Sequence, residues 1–217
     1  MPNMRSLILL FVAAGALMGA AEPLRDGRAA GPAAPIQLVV APTGNQVRYR
    51  VREQLAGFDF PNDAVGKSAA ITGALSLDES GRVIPDESKF TVAAATFTSD
   101  RDRRDNYVRG RLLEADQHQS IVLVPTEVRG LTLPLPSSGA GDLELRANLT
   151  VRGVTRPTLW RVSARFHDGR VSGTALTSFT FEDFQMEKPR VRSVLSVADT
   201  ITLEYDFNLL ARPVSSS

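Results

Sequence analysis

The chain has no cysteine, only two histidines and one tryptophan in 217 residues. Without cysteine it can build neither a disulfide framework nor a thiol-linked lipid anchor, and an oxidising compartment is tolerated without being used. His118 and His167 stand far apart, with no carboxylate or second histidine at ligand spacing, so neither a zinc nor a haem site is expected. An excess of one charge is missing too: 25 Lys and Arg face 24 Asp and Glu. Nucleic-acid binding needs a clustered basic surface, and this balance argues against it. Glycine-rich phosphate loops are absent, and no serine sits in a nucleophile-elbow context. Asp78-Glu79 and Glu182-Asp183 are neighbouring carboxylates, but adjacent residues of a strand face opposite ways and cannot share one substrate atom. His167-Asp168-Gly169 reads better as a hairpin tip than as half a triad. An enzyme is therefore not expected.

Long apolar runs are also lacking. A membrane-spanning helix needs about 20 apolar residues, and Leu7 to Leu17 falls short of that. With Arg5 before it and Gly19-Ala20-Ala21 after it, Met1 to Ala21 reads as a secretory signal peptide. Its removal takes one basic and no acidic residue, leaving 24 of each sign. Residues 22–35, rich in Ala, Gly and Pro, read as a linker, and 213–217 as a loose tail. That leaves 36–212 as one domain in the periplasm or outside the cell, long enough to bury a single sizeable core.

What is present is alternation. Leu143, Leu145, Ala147, Leu149 and Val151 share one face of an extended run, with Glu144, Arg146, Asn148, Thr150 and Arg152 on the other. Gly153 to Pro157 interrupts the run, which restarts with Trp160, Val162, Ala164 and Phe166. Asp168-Gly169 supplies the hairpin turn into a third strand, Val171 to Phe181. Ile201, Leu203, Tyr205, Phe207 and Leu209 mark an equally regular last strand. Further strands are predicted from Ile36, over Gln46–Arg52, Ala69–Asp78, Phe90–Thr98 and Gln119–Arg129. Ala93, Ala94 and Ala95 leave a face of small volume, which suits close sheet packing or room for a ligand. Arg48, Arg50 and Arg52 read as a solvated outer face, and the loop carrying Phe58 and Phe60 as one that packs on the core or closes an opening.

Asp100 to Gln117 breaks the pattern: Tyr107, Val108, Arg111, Leu112 and Ala115 recur at helical spacing, after a capping Ser99 or Asp100. Such a helix would lie across one end of the sheet.

Three segments carry a family resemblance: GDLELRANLTVRGVTRP, SDRDRRDNYVRGRLLEADQHQSIVL and SFTFEDFQMEKPRVRSVLSVADTITLEYDFNL. Together they resemble the YceI-like family of secreted lipid-binding domains over roughly Ile36 to Ala211. Arg104-Asp105 falls on that family's helix motif, and Tyr107 stands where a histidine is frequent. The resemblance implies an antiparallel eight-stranded lipocalin-like barrel, its one end covered by the short helix, enclosing an isoprenoid or other long apolar chain.

On that basis the expected apolar lining is Val47, Tyr49, Phe97, Leu145, Leu149, Trp160, Val162, Phe166, Phe179, Phe181, Phe184 and Phe207. Arg104, Tyr107, Lys188 and Arg190 are head-group candidates. No metal or cofactor is expected beyond a bound isoprenoid or quinone-like lipid. The partner is then an apolar lipid, with room for transient membrane-surface contact and for a homodimer. From pattern alone a second reading stays open: a packed β-domain serving as a protein–protein interaction module of the envelope.

Overall fold

The structure is a computed structural model. It describes residues 34–57, 59–192 and 194–214. Ten strands lie among these: β1 Ile36–Val40, β2 Gln46–Leu55, β3 Asn62–Ser68, β4 Ile71–Leu77, β5 Lys89–Ala93, β6 Ser120–Arg129, β7 Ser138–Val151, β8 Val154–His167, β9 Arg170–Thr180 and β10 Val194–Pro213. They form one antiparallel sheet in the order β1-β4-β5-β6-β7-β8-β9-β10-β2-β3, and β1 also pairs with β10.

That extra pairing closes the sheet. β10 offers one edge to β9 and its other edge to β1 over Leu209–Pro213 and to β2 over Val194–Asp206. β1 and β2 are thus two halves of one bent strand. β3 and β4, which pair with β2 and β1 in turn, are the halves of another. Counted this way the protein is a closed eight-stranded antiparallel barrel, and β3, last in the order, is joined on its other side by the single bridge Lys67–Thr98. β3 lies outside the predicted strands because its Asn-Asp-Ala-Val-Gly-Lys-Ser run shows little alternation of hydrophobicity.

Each bend has its own polar repair. Between β1 and β2 the buried Asn45 donates to Ala41 O (2.9 Å) and accepts from Tyr205 Oη (2.8 Å) and the Asn208 amide (2.9 Å). Backbone groups left without ladder partners at the break are satisfied there. Between β3 and β4, Ser68 Oγ accepts from the Ala70 amide (3.1 Å) and meets Thr96 Oγ1 at 2.6 Å.

Two glycines let the wall curve. Tyr49 lies opposite Gly66, and a Cβ on Gly66 would stand 2.2 Å from the tyrosine ring. Phe207 lies opposite Gly173, where a Cβ would meet Ser163 O at 1.9 Å. An aromatic ring laid over a bare backbone fills the space that the missing side chain leaves at a bend.

The hairpin turns follow the sequence. Asp168 and Gly169 both take positive φ (44° and 74°), as do Arg152 and Gly153 (52° and 76°). The second pair shows that Gly153 to Pro157 is a tight turn followed at once by β8, and not a long break. Pro157 fits within β8 because pairing with β9 begins only at Arg161, so its missing N–H costs no ladder bond on that side.

The predicted helix over Asp100–Gln117 is shorter: α1 spans Asp102–Tyr107, a π-helical turn follows over Val108–Leu112, and Glu114 reverses the chain with φ 47°. Neither Ser99 nor Asp100 is the N-cap; Arg101 holds that place without a side-chain bond. Asp105 Oδ1 instead reaches back to accept from the Ser99 amide (2.8 Å) and Ser99 Oγ (2.6 Å). The strand expected over Phe90–Thr98 ends at Ala93 in a 3-10 turn, Ala94–Thr96, that leads towards α1. β6 passes Pro125 through a bulge and continues to Arg129.

On the outer wall, Arg48 pairs with Glu204 (3.0 Å) and Asp206 (2.6 Å), Arg50 with Glu204 (2.9 Å) and Asp63 (3.1 Å), and Arg52 with Asp63 (3.2 Å). These arginines link β10, β2 and β3 across the outer face.

Candidate functional site

Inward-facing residues do not fill the barrel evenly. At the base, where the β8–β9 hairpin turns and β10 ends, Leu38, Leu77, Phe166, Val171, Phe207 and Leu209 are all buried. Towards the opposite end, under α1, the interior is hollow, with a cavity of about 580 Å³.

The wall of this cavity comes from the mouth-side portions of the strands. Tyr49, Val51, Glu53 and Leu55 contribute from β2, Ala64 from β3, Ile121 from β6 and Val151 from β7. β9 and its extension bring Phe179 and Phe181, and β10 brings Val194, Val197, Ile201 and Leu203. The lid supplies Phe97, Arg101, Asp102, Arg103, Arg104, Tyr107, Val108, Leu112 and Leu113, and the segment before β10 adds Met186, Pro189 and Val191. The walls are apolar, and the polar groups gather at the mouth: Glu53, Arg101, Asp102, Arg103 and Arg104, with the phenols of Tyr49 and Tyr107. Tyr49 packs against Phe97 with ring centroids 5.8 Å apart.

Two of the charged groups at the mouth, Arg104 and Glu53, engage each other. Arg104 Nη2 meets Glu53 Oε1 at 2.6 Å, and Nη1 binds Asp100. Burial works against the charge of this guanidinium, but Glu53 and Asp100 outweigh it and raise the Arg104 pKa. With Asp105 holding Ser99, the Arg-Asp pair latches the lid: one residue ties α1 to β2, the other ties it to the preceding loop. Burial pushes the Tyr49 phenol up to about 12, so it stays neutral across the physiological range.

Of the residues expected as lining, Tyr49, Phe97, Phe179 and Phe181 border the cavity. Val47, Leu149, Trp160, Val162, Phe166 and Phe207 face inward but sit in packed wall or base, and Leu145 is half-buried and packs against that core. Phe184 is fully buried in the 3-10 turn Glu182–Phe184, its ring 4.6 Å from Phe179, beside a groove on the outside of β8 and β9. Among the head-group candidates, Arg104 and Tyr107 border the cavity. Lys188 and Arg190 are exposed and do not; they alternate with Pro189 and Val191, which do, and Lys188 lies 3.8 Å from Asp199. Phe58 lies outside the described residues, as does the segment 1–33 with the signal sequence; the neighbouring Phe60 is 81% exposed.

Several lining residues escaped the sequence reading. Val51, Ile201 and Leu203 stand on the same strand faces as residues that were named, so period-two counting reaches them. Leu112 belongs to the helical pattern of the predicted cover, whereas Leu113 and Met186 come from irregular segments and carry no periodic signal.

Among the described residues no group of three or more His, Asp or Glu side chains is placed to hold a metal. A closed antiparallel barrel with an apolar hollow under a short helical lid defines a class of small-ligand-binding β-barrels. Residues 38–209 match the model of the YceI-like domain, and the chain belongs to that family. Its fold resembles a polyisoprenoid binding domain from Saccharophagus degradans implicated in plant cell wall breakdown, at 12% identity and a TM-score of 0.61, over 82% of this chain and 98% of the other. BcnA of Burkholderia cenocepacia is similar at 13% identity and a TM-score of 0.56, over 80% of this chain and 99% of that one. No curated protein matches the chain in sequence.

Proposed function

We propose that this protein is a carrier or buffer that encloses an isoprenoid or other long apolar chain, working in the periplasm or outside the cell. The observation that supports it most directly is the 580 Å³ hollow, its walls apolar below a polar mouth, in an otherwise well-packed barrel. An interaction module has no need of such a space. The resemblance to a polyisoprenoid binding domain points the same way.

Hydrophobic transfer is a sufficient driving force. Each buried CH₂ contributes about 0.8 kcal/mol, so one five-carbon isoprene unit gains roughly 3 to 4 kcal/mol before its lost freedom is counted. The lid determines what the head group meets. Arg104 is neutralised by Glu53 and Asp100, and a ligand entering under α1 meets the phenols of Tyr49 and Tyr107 together with the exposed charges of Arg101, Asp102 and Arg103. Export rests on Met1 to Ala21, the candidate signal.

Native mass spectrometry of the protein purified from its host tests this reading. A retained apolar mass, lost on organic extraction and restored by adding the extract back, is the expected result. A protein that carries no such mass and takes none up from its host's lipid extract would overturn it.

A further inference from the structure

The hollow has a definite floor. On β10, Ile201 and Leu203 line it, but the next inward residue, Tyr205, does not; on β2 it stops between Tyr49 and Val47. Val47 and Tyr205 are cross-strand partners, so both strands close the space at one level. Tyr205 is held from three sides. Its ring centroid lies 6.2 Å from Phe90 and 5.9 Å from Phe207, and its hydroxyl donates to the buried Asn45 at 2.8 Å. This floor is a tethered aromatic layer, which cannot swing aside as a free side chain would.

A floor turns volume into length. An apolar cavity of about 150 Å³ takes up benzene, which is about 25 Å³ for each carbon. At that packing, 580 Å³ holds about 23 carbons, or between four and five isoprene units. Given that the cavity takes an apolar chain, we propose that it is length-limited: it accepts a single chain of about twenty carbons, with Tyr205 and Val47 as its stop. A longer chain leaves its remainder at the mouth in water, where further units add little to binding.

The test uses the intact folded protein and a series of prenyl alcohols of 10, 15, 20, 30 and 45 carbons, which hold the head group constant. They are delivered from cyclodextrin and their relative affinities are read by displacement in native mass spectrometry. Affinity is expected to rise at least tenfold for each unit up to 20 carbons, and less than threefold from 20 to 45. Ala64→Phe adds six ring carbons to the lining and should move the plateau down by one unit. Tyr205→Ala should move it up by about one unit, and if that variant does not fold, Ala64→Phe alone decides. A tenfold or larger gain from 20 to 45 carbons, or an unmoved plateau in folded Ala64→Phe, would sink the length limit while leaving the carrier reading intact. Failure of every alcohol to bind would overturn both.

Discussion

Leu209 and Leu203 stand on the same inward face of β10, yet they have different surroundings. Leu209 is buried in the base among residues none of which borders the hollow, whereas Leu203 is equally buried from solvent but borders it. The same strands, with the same alternation, therefore build a solid half and a hollow half. The difference lies in side-chain volume and in what closes each end. At the base, Phe166, Phe207 and Phe90 fill the interior, and Phe207 occupies the space over Gly173. At the mouth, Val51, Ala64, Val151 and Ile201 leave the centre empty, and α1 closes it from above.

The largest effect expected from breaking this contrast is on binding. Phe181→Asp places a charge on the cavity wall and should abolish retention of any apolar ligand in a protein that still shows its near-ultraviolet circular dichroism; unchanged retention there would remove Phe181 from the lining. Next in size is a matched pair of truncations. Leu209→Ala opens a void in a packed region and should cost about 3 to 4 kcal/mol, whereas Leu203→Ala widens a space that already exists and should cost about 1 to 2 kcal/mol. Urea denaturation of the two variants without ligand measures both, and equal losses would mean the mouth half is packed in solution. Asn45→Ala should cost about 2 to 3 kcal/mol, because it strips partners from Tyr205 Oη, Ala41 O and the Asn208 amide at the bend above the base.

The smallest effect is electrostatic and belongs to neither half. Hydrogen bonds from Arg50 and then Arg48 hold the Glu204 carboxyl below its ordinary 4.5, against the opposing pull of burial. A depressed carboxyl stabilises the fold above its unfolded pKa, and that contribution fades as pH falls through the folded value. Melting temperature should therefore decline below about pH 4.5 more steeply in the parent protein than in Glu204→Gln. Parallel declines would show that this pair adds nothing measurable.

Much of the barrel was legible in the sequence because alternation reports which face of a strand turns inward. The runs through Ala147–Val151, Trp160–Phe166 and Ile201–Leu209 are buried on the side their spacing indicates, and Leu143 and Leu145 on the same face are partly so. What alternation cannot report is height along the barrel. Trp160 and Phe181 look equivalent by parity, yet only Phe181 borders the cavity, because strand register and the bends at Ala41–Asn45 and Ala69–Ala70 set each residue's level. β3 was missed for a related reason: Gly66 and Ser68 are inward positions where Tyr49's ring and a hydroxyl network replace apolar side chains. The role of Arg104 depended on a partner 51 residues away, Glu53, which no local pattern could reveal.

The three-way pairing of β10 has a kinetic consequence. Last in chain order among the described strands, it pairs with β9 on one side and with both β1 and β2 on the other. A nascent chain can zip its earlier hairpins one after another but stays an open curl until the twenty residues of β10 arrive. Contacts so distant in sequence are slow to form, so a molecule cut short before Val194 should remain a sticky, unsealed sheet, unable to shelter cargo.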